Sequence, residues 1–277
     1  MSNRHILARA NFGCMYTANH VDTHDTFNAL WAASLLLSAS EAFQYPTFKS
    51  AATNILDQMN EYIYQQNTRR MIVIDGNVRP IWDAMYARCL FKNGDTEQGV
   101  EYCRGISWLD THRDHNGVLI ATYLDAFHYS KDEIFLDWAR KTRTIVLASE
   151  RLSAFDAWGI ALLGKTEPKD EDVDYLKRML KTANVNPKNM IGIVAPIVLH
   201  TCSAYKYLTQ DLSYETRYSQ AFERQLQLQV TIEHSFGLND FGAFVQSEKA
   251  PNTRLDYTIS SSFALIYHLL PKISFCF

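Results

Sequence analysis

A helix rich in small and apolar residues recurs six times along this chain, and after each of the first five copies comes a helix with an ordinary polar face. The small-residue copies are marked by Ala32-Ala33-Ser34, by Ala84 and Ala87, by Ala121, by Ala157-Trp-Gly-Ile-Ala161 and by Ser260-Ser-Ser-Phe-Ala264. The repeat spacing, roughly 35 to 45 residues per pair, is that of helical hairpins. Small residues let helices approach closely, whereas the Lys, Arg and Glu of the alternate helices need water on one side. Two concentric layers meet both demands, with small residues inside and charges outside. An open solenoid also stacks helix pairs, but with a more uniform motif and both layers exposed along an edge. The reading is therefore all-α: a single domain over 1–277, closed into an (α/α) toroid of about six hairpins and eleven helices.

Local signals place the elements. The first helix runs over 25–43 with Thr23 as its cap, and Tyr45-Pro46 breaks it. The second reaches about residue 65. Met71-Ile-Val-Ile, followed by Asp75-Gly76, predicts a short β-hairpin insertion near 70–79. Pro80 opens the third helix and Asn93-Gly94 ends it. Asp95 or Thr96 caps the fourth, which ends near 109. The fifth covers 114–129, and Ser130 caps the sixth. Ser153 caps a short seventh helix ending at Gly164, and the highly charged eighth (168–183) belongs outside. The ninth spans 192–208 and the tenth 214–233. An irregular stretch over 234–254 precedes the eleventh, 256–270, which Pro271 stops.

Bulk properties exclude some partners. A net charge of -3 over 277 residues offers no electrostatic case for nucleic acid or an anionic membrane. The apolar segment over 29–40 is too short to span a bilayer, and the first ten residues lack the apolar run of a secretory signal. Five cysteines without a CxxC read as free thiols in a reducing compartment. The expectation is a soluble, cytoplasmic protein. Nothing in the sequence bears on its oligomeric state.

Four small-residue helices carry an aspartate at or near the first turn: Asp25, Asp83, Asp156 and Asp256. In a closed ring every inner helix points the same way, so these tips share one mouth. Free N–H groups and the positive dipole end stabilise a carboxylate there. An ordinary helix cap explains any one of them equally well. The neighbours His24, Trp82, Trp158, Arg254 and Tyr257 add aromatic faces and donors beside the carboxylates, a combination that suits a sugar ring. If the reaction is hydrolysis, Asp25 and Asp156 face each other from hairpins one and four as acid and base, with Asp83 nearby. Asp110-Thr-His112-Arg-Asp114-His115 falls in a turn, where capping outweighs metal binding. Cys202 follows His200 by two in mid-helix. Neither makes a metal set, and no HExxH, GxSxG or phosphate loop occurs. No metal or cofactor is expected.

The run Asp240-Phe-Gly242-Ala-Phe-Val-Gln-Ser247, followed by Arg254-Leu-Asp256-Tyr-Thr258, resembles the closing segment of six-hairpin glycosidase-like proteins. There a Gly-small-Phe strand precedes an Arg-x-Asp-Tyr-Thr turn into the last inner helix. Ser260 and Ser261 stand where a histidine is expected in that pattern. The likeness is tight over about 20 residues and rests elsewhere on hairpin periodicity. It implies a carbohydrate ligand, with glycoside hydrolases, polysaccharide lyases and sugar epimerases among the activities of such toroids. A metal-independent hydrolase using carboxylate acid and base is the first reading. A helical-repeat protein that binds a protein or saccharide and catalyses nothing is the second.

Overall fold

The computed structural model describes residues 23–62, 64–65, 70–71, 80–106, 115–150, 153–183, 194–228, 245–247, 250–253 and 262–263, with side chains over 29–60, 80–106, 115–150, 153–183, 194–228 and 262–263. Among the described residues, ten helices form five hairpins: α1 (Thr23–Phe43) with α2 (Pro46–Tyr62), α3 (Pro80–Asn93) with α4 (Thr96–Arg104), α5 (Gly117–Ser130) with α6 (Glu133–Ala148), α7 (Ala154–Thr166) with α8 (Asp170–Thr182), and α9 (Val194–Thr209) with α10 (Glu215–Gln227). Phe263 sits in a helical turn of the sixth inner helix expected over 256–270, whose remainder lies outside the described residues.

Burial separates the two layers as composition predicts. Residues 29–39 of α1 are all buried, and α7 is buried on every side from Ala154 to Ile160. A helix flanked by two neighbours and backed by a third has no wet face, so its apolar residues need no period. The outer helices bury a single stripe. In α8 that stripe is Asp172, Tyr175, Leu176, Met179 and Leu180, where each fully buried apolar side chain contributes about 1.5–3 kcal/mol.

The inner helices run parallel and in register. Cys89 of α3 donates to the Leu30 carbonyl of α1, Thr122 of α5 donates to the Ala84 carbonyl of α3, and Trp158 of α7 donates to His200 of α9. Each contact joins residues at similar heights from their helix starts. Among the described residues, the N-termini of inner helices α1, α3, α5, α7 and α9 therefore open at one end of the ring, and Asp83 and Asp156 share it. At the other end the hairpin turns are short. Gln44, Gly94, Lys131 and Gln210 follow α1, α3, α5 and α9 in the left-handed region that ends a helix tightly.

Several boundaries move from their predicted places. A strand pair joins Tyr64–Gln65 to Arg70–Met71, so its first strand precedes the insertion expected near 70–79 and its second falls within it, while residues 72–79 lie outside the described residues. The stretch expected to be irregular contains a second pair, Val245–Ser247 with Ala250–Thr253, leading directly into Arg254. The cap of α6 is Asp132, which accepts from the Ile134 N–H, because Lys131 in the left-handed conformation still belongs to the preceding turn. Ser130 instead ends α5 and accepts from the Asp132 N–H. Ser153 does cap α7, accepting from the Asp156 N–H at 3.4 Å.

Outer helices are tied to one another by arginine. Arg178 of α8 donates to the Leu147 and Ser149 carbonyls at the end of α6. Arg217 of α10 does the same for Leu180 and Ala183 at the end of α8. Arg143 of α6 forms a doubly hydrogen-bonded, fully buried pair with Asp172 of α8.

The described cysteines, Cys89, Cys103 and Cys202, are buried free thiols. Burial pushes Cys89 and Cys202 up to about 12 and raises Cys103 well above its ordinary value. All three thus stay neutral at ordinary pH, and the thiolate is the nucleophile. Site-resolved alkylation with iodoacetamide at pH 8 should leave them unmodified in the folded protein and label them fully in urea. Rapid labelling of Cys89 in the native state would contradict the packing of α1 against α3. No described helix is long and apolar enough to cross a membrane.

Candidate active site

The first observation about the site is a contact across the ring. Trp31 of α1 meets Phe155, the second residue of α7, with ring centroids 5.0 Å apart. It also stacks on Phe263 at 6.3 Å. Hairpins one and four of an open solenoid are separated by two intervening pairs and do not touch. Here they meet over an aromatic centre, and the sixth inner helix packs against the first. The ring is closed. Its fold is the six-hairpin (α/α) toroid.

Solved structures agree with this fold. A D-mannose isomerase matches with a TM-score of 0.59 at 13% identity, over 87% of this chain and 87% of that one. The GH76A alpha-1,6-mannanase from Salegentibacter sp. matches with a TM-score of 0.62 at 12% identity, over 97% of this chain and 98% of that one. An inactive variant of the same mannanase in complex with alpha-1,6-mannotriose matches with a TM-score of 0.61 at 12% identity, over 95% and 98% of the two chains. No family model matches the sequence, and no curated protein does. Identities this low carry the toroid fold and nothing finer.

Within the toroid, the end where the inner helices start gathers the candidate residues. Asp156 is 2% exposed, and its Oδ1 accepts the Gly117 N–H of α5 at 2.6 Å. It thus caps its neighbour's N-terminus, an orphan donor that would otherwise be buried unpaired. Two glycines make this possible. A Cβ on Gly117 would fall 1.9 Å from the Phe155 carbonyl oxygen, and one on Gly159 would fall 2.4 Å from the Gly117 Cα. The first turns of α5 and α7 therefore pack backbone against backbone. Asp83 is fully buried in the first turn of α3 and accepts from the Tyr102 hydroxyl of α4 at 2.8 Å.

Aromatic candidates divide in the same way. Trp158 is fully buried, and its Nε1 donates to His200 Nδ1 at 3.3 Å. Its indole therefore packs against protein on all sides. Trp82 is half-buried at the edge of the core. The side chains of His24 and Asp25 lie outside the described residues, although the α1 backbone there is helical. Arg254, Asp256 and Tyr257 lie outside them too, as do Asp110, His112 and Asp114.

His115 is the residue whose importance the sequence understates. It stands two residues before the start of α5 with φ 72, in the left-handed region that non-glycine residues seldom occupy. The four other described residues with positive φ, Gln44, Gly94, Lys131 and Gln210, all lie at the opposite end of the ring. Its Nδ1 lies 2.9 Å from the buried Ser153 Oγ, and its ring tilts against Phe155 at 4.7 Å. His115 remains half-buried, whereas Asp83 and Asp156 are shut in. In the sequence it belongs to the turn cluster 110–115. The signal there was Asn116-Gly117, which marks the helix start and places His115 on the rim.

Proposed function

We propose that this chain is a carbohydrate-active protein that binds a saccharide at the mouth formed by its inner helix N-termini. The observation that carries this reading is closure of the ring over the buried cluster of Trp31, Phe155 and Phe263, which gathers the described inner helix N-termini at one end. Sugar rings present apolar C–H faces that stack on aromatic side chains, for which the half-buried Trp82 is the candidate, while their hydroxyls need hydrogen-bonding groups at the rim. The similar solved structures include a D-mannose isomerase and an alpha-1,6-mannanase, so mannose and α-1,6-mannosides are the first ligands to try.

Glycoside hydrolysis without a metal is the reaction proposed. It needs a proton donor and a base or nucleophile flanking the scissile bond. Asp25, at the start of α1 opposite hairpin four, is the first candidate, with Asp256, Arg254, Tyr257, His24 and Trp82 as ligand contacts. Binding without catalysis is a second reading. It is favoured by the internal hydrogen bonds that already occupy Asp83 and Asp156.

The two separate in one experiment. Purified protein is titrated calorimetrically with α-1,6-mannotriose, and reducing ends are counted over the same concentrations. Binding with turnover, lost in Asp25→Asn by roughly 100-fold or more, supports hydrolysis. Binding without turnover supports the second reading. No heat with mannotriose or any member of a hexose and oligosaccharide panel contradicts both.

A further inference from the structure

We propose that the segment 271–277 docks on the aromatic side chains of the first hairpin turn, Phe43 and Tyr45, and straps the seam where the sixth inner helix meets α1. The strap is independent of the saccharide reading above. Apolar surface is left open at one end of the ring. Among the described residues, six large apolar side chains are exposed, and five of them, Phe43, Tyr45, Tyr129, Ile134 and Leu212, stand at the hairpin-turn end, away from the mouth. Phe43 and Tyr45, each 51% exposed, flank Gln44, whose left-handed backbone ends α1. Tyr45 meets Phe48 edge-on at 5.1 Å, so one short turn carries three aromatic rings.

Two features name the occupant. The first is position. Phe263 stacks on Trp31, so the sixth inner helix is a neighbour of α1. The sequence carries that helix on to Pro271, parallel to the other inner helices and towards the hairpin-turn end. From Phe263 to residue 270 is about 10 Å of helix, and from Trp31 to Phe43 about 18 Å. Combined with the ~8–10 Å between neighbouring helix axes, the gap left to the turn is about 13 Å. An extended chain over 271–277 spans up to about 23 Å, so it covers the gap with Phe275 and Phe277 to spare. The second feature is pattern. Ile273, Phe275 and Phe277 alternate with Lys272, Ser274 and Cys276. In an extended chain the apolar three line one edge, which gains by burial against an apolar surface. A segment tethered this close meets its site at an effective concentration of about millimolar. That favours it over a second copy of the chain or a separate protein. The strap joins the sixth inner helix to the first at the end opposite the mouth, and so holds the ring shut.

Two measurements on the whole chain test this. In the first, Tyr45→Cys and Phe275→Cys are combined with Cys276→Ser, and the protein is oxidised with diamide at low concentration. A disulfide within one chain, read by peptide mass spectrometry, is expected. A covalent dimer through the same two positions assigns the turn to a second copy and overturns the proposal. The second is a thermal cycle of Phe43→Ser with Tyr45→Ser, Phe275→Ser with Phe277→Ser, and all four together. Each pair should lower the Tm by roughly 3 °C or more, and the four together should fall little further than the larger pair, because both pairs remove one contact. Such a coupled fall within a monomer supports the proposal even without the disulfide, since register can hold two sulfurs apart. Tm values within about 1 °C of wild type, as for exposed side chains that touch nothing, or falls that simply add, overturn it. Neither readout depends on saccharide binding.

Discussion

Gly117→Ala should cost about 3 kcal/mol or more, at or beyond the upper end of ordinary overpacking. The added methyl would lie 1.9 Å from the Phe155 carbonyl oxygen and 2.6 Å from the Asp156 Cα. Both are backbone atoms in the first turn of α7, so no rotamer change relieves the overlap. The two inner helices must separate, and the Asp156 bond to the Gly117 N–H lengthens with them. Thermal melting should show a fall of roughly 6–12 °C or loss of folded protein. Gly99→Ala is the internal control. The three atoms nearest its Cβ all belong to the Phe91 ring, the closest at 2.6 Å, so a side-chain shift relieves it without separating two helix backbones. A Tm for Gly117→Ala within about 1 °C of wild type, against the several degrees expected of a steric clash, would mean that α5 and α7 are not in backbone contact.

The second large effect concerns the outer ring. Arg143 and Asp172 are 2% and 0% exposed and pair across α6 and α8. Arg143→Met should cost about 3–5 kcal/mol, because it leaves a carboxylate buried without its cation. The double variant Arg143→Met with Asp172→Leu should recover most of that loss, since an apolar pair of similar volume needs no solvation. The pH dependence has a defined sign. Burial pushes the Asp172 carboxyl above its ordinary range and Arg143 pulls it back. Without Arg143 only the Lys169 charge and backbone hydrogen bond oppose the upward push, so the folded state takes up a proton still more readily than the unfolded chain. The single variant should therefore gain stability as pH falls from 7 towards 5, relative to wild type. Denaturant melts at the two pH values measure this directly. Equal destabilisation at both, or no recovery in the double variant, would show that the pair is solvated.

Much of the architecture was legible because it is written locally. Pro80 and Ser153 mark helix starts through groups within one turn, and Asn93-Gly94 marks a helix end through one residue's backbone freedom. The alternation of Ala-rich and charged helices predicts the two layers because burial on every side tolerates no polar stripe. Where the reading moved, a longer-range partner was responsible. Ser130 and Asp132 compete for one cap, and the left-handed Lys131 between them decides it. Asp156 looks like an acid at a mouth when only its own helix is considered. Its partner, the Gly117 N–H, is on the neighbouring inner helix and is brought close by two glycines that have no local signature together. Trp158 likewise looked like a sugar platform and is instead bonded to His200 of α9. Trp31 reads as one more apolar residue in a buried helix, and only closure of the ring brings it against Phe155 and Phe263.

Closure is the claim on which the site depends, and a double-mutant cycle on Trp31 and Phe155 tests it most directly. Trp31→Leu, Phe155→Leu and the double variant are melted in urea under the same conditions. Rings in contact across the toroid should show a coupling of about 0.5–1.5 kcal/mol. Strict additivity, with a coupling indistinguishable from zero, would mean that hairpins one and four do not meet and that the chain is an open spiral without a shared mouth.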